Sequence, residues 1–332
     1  MSGPPLLIVR NLTKHFAPPQ GLLSREGKRI RAVDGVDLDI HVQETLGVVG
    51  ESGCGKTTLG RTIMRLVEPT AGQILFEGTD LVPLSRRQLR PYRRHMQMVF
   101  QNPYSSFDPR YSVLSSLAEP LRAFTPWRGQ ALVDRARQLL AQVGMPGEIL
   151  HRYPHEFSGG QLQRIAIARA LALSPKFIVL DEPTSALDVS VQAQIINLLQ
   201  HLQRELRLTY LFISHDLNLV QHISDRIAVM YLGKVVELGT TEDIFSSARH
   251  PYTQALLASA PSLDPEFRRK RIVLPGTVPD PANPPHGCSF HPRCPMVMAA
   301  CRQVVPALED VGNGHLVACH LVSHQADRTP AG

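Results

Sequence analysis

The chain has 332 residues, 43% hydrophobic and 19% charged. That balance excludes a disordered chain, and the length suits about two domains. The net charge of +6 is spread over short clusters, REGKRIR (25–31), SRRQLRPYRR (85–94) and RRKR (268–271), with no long basic arm. A solvated basic surface is therefore expected, and no nucleic-acid partner. No apolar run reaches the ~18–20 residues that span a bilayer. The opening MSGPPLLIVRNLTK lacks a basic stretch leading into a long apolar segment, so a cytosolic chain is expected.

In chain order, ETLGVV (44–49) is an apolar run that stops at Gly50 and reads as a buried strand entering a turn. Leu59, Ile63, Leu66 and Val67 then recur at helical spacing, which predicts a helix from about Gly55 to Glu68-Pro69. Residues 103–157 are punctuated by proline and carry helical pattern in DRARQLLAQVG (134–144), the mark of a helical insertion. FIVLDEP (177–183) and TYLFISH (209–215) read as further buried strands, with a helix over VQAQIINLLQHLQREL (191–206) between them. RIAVMYLGKVVELG (226–239) reads as two short strands around Gly233-Lys234. Strands alternating with helices predict a mainly parallel α/β sheet. After about residue 245, PSLDPEF and LPGTVPDPANPP form stiff, proline-rich connectors.

Between the first strand and its helix lies GESGCGKTT (50–58), which fits G-x-x-x-x-G-K-[ST] in the required context. Glycines let backbone N–H groups close around phosphate oxygens, and the helix N-terminus adds partial positive charge. Lys56 suits the β- and γ-phosphates, and Thr57 suits Mg²⁺. Gly50, Glu51, Ser52, Gly53, Cys54, Gly55 and Thr58 complete the loop, with Cys54 read as a small spacer rather than a nucleophile. Asp181 ends a strand and suits Mg²⁺ through water. Glu182 beside it can orient and deprotonate an attacking water. A second glycine-rich helix start, Ser158, Gly159, Gly160 and Gln161, offers another phosphate-binding surface. One nucleotide does not need two such surfaces in one chain, whereas two chains facing each other would use both.

GESGCGKTT, Gln101 in MVFQNP, FSGGQ, FIVLDEP, SALD (185–188) and His215 in ISHD resemble, in order and spacing, the Walker A, Q-loop, signature, Walker B, D-loop and H-loop of ATP-binding-cassette ATPases. The signature has Phe157 where the family more often has leucine. The resemblance covers 6–245. It implies a P-loop NTPase core with an antiparallel β subdomain and a helical subdomain at about 103–160. It also implies that two cassettes sandwich ATP head to tail. Ser158 and Gly160 would then touch the γ-phosphate held by the other cassette, and Asp188 would cross the interface. His215 would sense the γ-phosphate, and Gln101 would link Mg²⁺ and water to a permease. Phe16 is the candidate for stacking on adenine.

HPYTQALLASAPSLDP (250–265) and LPGTVPDPANPPHGCSFHPRCPMVMAAC (274–301) resemble the C-terminal extension of oligopeptide, dipeptide and nickel importer ATPases. This implies a small Cys-rich extension over 246–332 and a peripheral place on the cytoplasmic side of the inner membrane. The implied partners are two permease subunits, a non-identical sister ATPase and an extracytoplasmic substrate-binding protein. The implied cargo is a peptide, with nickel, glutathione or another small solute as alternatives; a soluble ABC ATPase outside transport is the more distant one. Cys288, Cys294, Cys301 and Cys319 are spaced too widely for the close pairs of structural zinc. Four thiolates at such gaps suit a [4Fe–4S] cluster, which some members carry in this extension; zinc and free thiols remain open.

Overall fold

The computed structural model describes residues 4–17, 29–259 and 274–322. Most of the REGKRIR cluster, the RRKR cluster and PSLDPEF lie outside the described residues. The chain divides into two compact units. One, here the P-loop unit, comprises residues 6–39, 46–82 and 214–332; the other, the helical unit, comprises 1–5, 40–45 and 83–213.

The chain enters the P-loop unit with β1 (Pro5–Phe16), β2 (Ile30–His41) and β3 (Thr45–Val49), followed by α1 (Lys56–Ile63), β4 (Ala71–Phe76) and β5 (Thr79–Asp80). The first sheet has the order β2-β1-β4-β5. β1 and β4 are antiparallel, with Leu7 opposite Phe76, which realises the antiparallel subdomain. All five residues of β3 are buried. A strand covered on both faces reads as a continuous apolar run, which is why ETLGVV stands out in the sequence.

α1 corrects the expected helix length. It ends at Ile63, and Arg65 takes a left-handed φ of 50°. The Arg65 guanidinium is buried, donating to the carbonyls of Leu81 and Val82 and pairing with Glu68 at 2.6 Å. Leu66, whose spacing suggested helix, is 45% exposed. Satisfying one buried cation outweighed continuing the helical pattern.

The helical unit follows with α2 (Arg86–His95), β6 (Met96–Val99), α3 (Val113–Phe124), α4 (Gly129–Gln142), α5 (Gly159–Leu171), β7 (Phe177–Asp181), α6 (Val189–Leu206) and β8 (Thr209–Ile213). β6, β7 and β8 lie side by side in parallel register, with Val179 opposite both Met98 and Leu211. α3 packs on α4 and α4 on α5, burying Leu117, Leu121, Leu139, Leu140, Leu162 and Ile165.

The chain returns to the P-loop unit with α7 (Leu217–Ile223), β9 (Arg226–Tyr231), β10 (Lys234–Thr240), α8 (Thr241–Ser247) and α9 (Pro251–Ser259), then β11 (Glu309–Asp310) and β12 (Leu316–Val317). β3 runs parallel to β9, and β9 and β10 are the two strands expected around Gly233-Lys234, paired antiparallel. The tail joins this sheet: β12 pairs with β10, and β11 with β12. Glu237 of β10 is fully buried and accepts from the N–H groups of Arg249 and His250, and it sits 2.8 Å from His315 Nε2. Phe290 packs against Tyr231 and Tyr252 with ring centroids 5.3 and 5.4 Å away. Burying such a ring contributes about 1.5–3 kcal/mol. The tail therefore finds its apolar core in the rest of the P-loop unit.

Candidate functional site

The loop after β3 is shaped by two backbone requirements. Gly50 has φ 151° and Gly55 φ 107°. A Cβ would lie 2.2 Å from the Met230 carbonyl at Gly50 and 2.0 Å from the Ala32 carbonyl at Gly55. Only glycine meets both the angle and the space. Lys56 is 5% exposed, and its Nζ reaches back over the loop to the carbonyls of Gly50 at 2.7 Å and Glu51 at 3.1 Å. Thr57 and Thr58 occupy the first turn of α1. Ser52 and Gly53 are exposed at the loop's outer edge. Cys54 is buried, and burial pushes its thiol above the usual range, which keeps it protonated.

Phe16 ends β1 and is 38% exposed, and the Lys14 Nζ lies 4.9 Å from its ring centroid. His215 follows β8 and is exposed, unlike a structural core histidine. Its turn is fixed from both sides. Ser214 N–H donates to the Val48 carbonyl, and Asp216 accepts from the N–H groups of Asn218 and Leu219 at the start of α7.

In the helical unit, Asp181 is fully buried at the end of β7. Glu182 follows with φ 47°, held there by its N–H donating to the Ile213 carbonyl at 2.9 Å. A left-handed glutamate costs on the order of 1–3 kcal/mol, and such outliers concentrate at functional sites. The Gln101 amide, just past β6, donates to Glu182 Oε2 at 2.8 Å. Two residues 81 positions apart in sequence are thus brought together.

Ser158 caps α5. Its hydroxyl accepts from the Gln161 N–H, and Gln161 Oε1 accepts from the Ser158 N–H at 3.0 Å, a reciprocal capping box. A Cβ on Gly160 would lie 2.5 Å from Val191 Cγ1, and one on Gly159 would lie 3.2 Å from Leu187. Asp188 is exposed at the N-cap of α6, with its carbonyl accepting from the Val191 and Gln192 N–H groups and no cap bond from its side chain.

Of the four tail cysteines, Cys288, Cys301 and Cys319 are buried and Cys294 is half-buried. Burial raises the thiols of Cys288 and Cys294 and pushes Cys319 up to about 11, with the other three cysteines adding to the shift at Cys319. The side-chain geometry nevertheless departs from the expected iron–sulfur centre: among the described residues, no group of three or more His, Cys, Asp or Glu side chains is gathered to hold a metal ion.

Two residues at the loop escaped the sequence reading. The Tyr252 hydroxyl accepts from the Glu51 N–H at 2.8 Å, and Arg293 forms a two-pronged ion pair with the Glu51 carboxylate. Only their place in HPYTQA and HPRC could have drawn attention to them.

The profile of the ABC transporter family matches residues 33–185, and that of the oligopeptide/dipeptide transporter C-terminal region matches 236–301. The chain is 50% identical over 321 residues to the oligopeptide transport ATP-binding protein AppF of Bacillus subtilis, covering 96% of this chain and 98% of that one. It is also 50% identical over 319 residues to a putative peptide import ATP-binding protein of Brucella ovis, covering 96% and 98%. Among solved structures, the ATP-binding cassette MJ0796, a dimer in a post-hydrolysis state bound to ADP and Pi, is similar with a TM-score of 0.63 and 29% identity, covering 71% of this chain and 98% of that one. With strand, loop and helix arranged as this P-loop requires, and likeness running through the tail, the chain belongs to the ABC transporter family as an oligopeptide/dipeptide-type ATP-binding protein.

Proposed function

We propose that this chain binds and hydrolyses ATP to energise import of di- or oligopeptides through separate permease subunits. ATP hydrolysis coupled to transport follows from its family. The observation that carries the cargo class is the tail, where residues 236–301 match the oligopeptide/dipeptide C-terminal region. Among the described residues no helix is long and apolar enough to cross a membrane. This fits a chain that works at the cytoplasmic face of the inner membrane on two permease subunits, a non-identical sister ATPase and, through them, an extracytoplasmic substrate-binding protein. The domain division belongs to this reading: a cassette over 6–245 with its helical subdomain at about 103–160, and an extension over 246–332.

In this reading the N–H groups of the loop from Gly50 to Thr58 surround the phosphates, and Lys56 exchanges the carbonyls of Gly50 and Glu51 for β- and γ-phosphate oxygens. Mg²⁺, when bound, neutralises charge developing on those oxygens. Thr57 and Gln101 would hold it, and Asp181 through water. Glu182 takes the proton of the attacking water, and its hydrogen bond to Gln101 orients the carboxylate. His215 faces the γ-phosphate, and Phe16 offers its exposed ring to adenine. Ser158, Gly159, Gly160 and Gln161 complete the site of the facing cassette, with Asp188 at the interface.

For the tail, the finer reading is a [4Fe–4S] cluster on Cys288, Cys294, Cys301 and Cys319. What supports it is the donor set, four cysteines of which three are buried and one is half-buried; the gathered geometry is what it lacks among the described residues. Anaerobic purification with iron and sulfide analysis tests it: four irons per chain support it, and zinc or no metal defeats it.

Reconstitution with its permeases and sister ATPase in vesicles tests the cargo. ATP-dependent uptake of labelled di- or tripeptides is expected. Uptake of nickel or glutathione with no peptide uptake would replace the cargo class.

A further inference from the structure

Glu51 opens the variable part of the phosphate loop, and Arg293 lies 242 positions later, beside Cys294. Arg293 Nη1 donates to Glu51 Oε2 at 2.7 Å, and Nη2 to Oε1 at 3.1 Å. Two parallel bonds fix orientation as well as distance. The Arg293 side chain is 8% exposed and that of Glu51 29%, so water competes poorly for the pair. Two further bonds hold Glu51. Its N–H donates to the Tyr252 hydroxyl, and its carbonyl accepts from Lys56 Nζ. The tail thus grips the first variable residue of the loop by its carboxylate, while the loop lysine holds the same residue by its carbonyl. Arg293 is itself fixed. Its guanidinium carbon lies 6.0 Å from the Tyr231 ring centroid, and its N–H donates to the Phe290 carbonyl at 3.0 Å. It therefore belongs to the short turn that joins Cys288 to Cys294.

We infer that Arg293 is a positioning residue for ATP binding, acting through Glu51 to hold the phosphate loop in register for Lys56. Without it the carboxylate is left partly buried beside an aromatic cluster, and the loop shifts to bring it to water. The loop's N–H groups must converge on phosphate, so a small displacement weakens all of them together. The cysteine-bearing tail is on this account part of the nucleotide site. The inference rests on the reading of residues 50–58 as the ATP site.

A double-mutant cycle on the full-length chain tests it, with KM and kcat for ATP as readouts and thermal melting as a control. Arg293→Ala should raise KM about tenfold with kcat changed by less than about threefold. Arg293→Lys should recover part of the loss, because a point charge cannot make both bonds. In a Glu51→Ala background, Arg293→Ala should change KM by less than about twofold, because both carboxylate acceptors are already gone. Equal effects in both backgrounds, or an unchanged KM for Arg293→Ala, would overturn the inference. Should Arg293→Ala fail to fold, the same cycle with Arg293→Lys decides by the same outcomes. A wild-type chain that does not bind ATP defeats the loop reading instead, so the two failures are distinct.

Discussion

The two glycine-rich helix starts look alike in sequence and are built differently. At GESGCGKTT the glycines serve the backbone: Gly50 and Gly55 take positive φ values and press against carbonyls. The loop carries its own cation, Lys56, folded back onto it. At FSGGQ the glycines serve packing. Neither Gly159 nor Gly160 has positive φ, and their missing side chains make room for Leu187 and Val191. No residue of FSGGQ is basic, and Ser158 and Gln161 close the helix end on themselves. On the proposed reading, the first motif is a phosphate cradle that carries its own cation. The second is a partly exposed helix start that, on the same reading, adds N–H groups to a phosphate held by a facing cassette.

Substitutions that leave each motif's charge alone separate the two designs. Gly55→Ala should have the largest effect. The angle and the overlap with the Ala32 carbonyl together exceed about 3 kcal/mol, so ATP affinity should fall more than about a hundredfold in a fluorescent-nucleotide titration. Affinity near wild type would break the comparison. Gly160→Ala should leave ATP affinity intact and lower steady-state hydrolysis about tenfold, since its site is completed on another cassette. Val191→Ala, which removes the methyl in the way, should restore part of that loss. Ser158→Ala removes one capping bond and should lower stability by about 1 kcal/mol, read as a denaturation midpoint. Gly53→Ala sharpens the contrast at the smallest scale. Its Cβ would enter open space while its φ is 79°, so a cost of only about 1–2 kcal/mol is expected from the angle alone.

The sequence carried the parts of the fold that depend on local pattern. β3, β7 and β8 begin and end within about a residue or two of their apolar runs, because strands buried on both faces show no alternation to misread. Gln101 and Glu182 carry separate roles in the sequence reading, and nothing local in a sequence could join them, since they lie 81 positions apart. The end of α1 was illegible because it depends on Arg65 reaching the carbonyls of Leu81 and Val82, partners chosen by the fold. The tail was the least legible. Its turns have neither helical nor strand period, and its anchors, Glu237 for His315 and Glu51 for Arg293, lie far back in the chain. Four cysteines suggested a metal core; among the described residues no group of three or more His, Cys, Asp or Glu is gathered to hold a metal ion, and Phe290, nearby in sequence, packs on Tyr231 and Tyr252.

The account stands on ATP being hydrolysed with Glu182 as the base. Glu182→Gln keeps the size of the side chain and a carbonyl that can still accept from Gln101, but it cannot take a proton. ATP binding and hydrolysis measured together on this variant should show unchanged affinity and turnover reduced about 10²–10⁴-fold. Turnover within about tenfold of wild type would contradict the assignment.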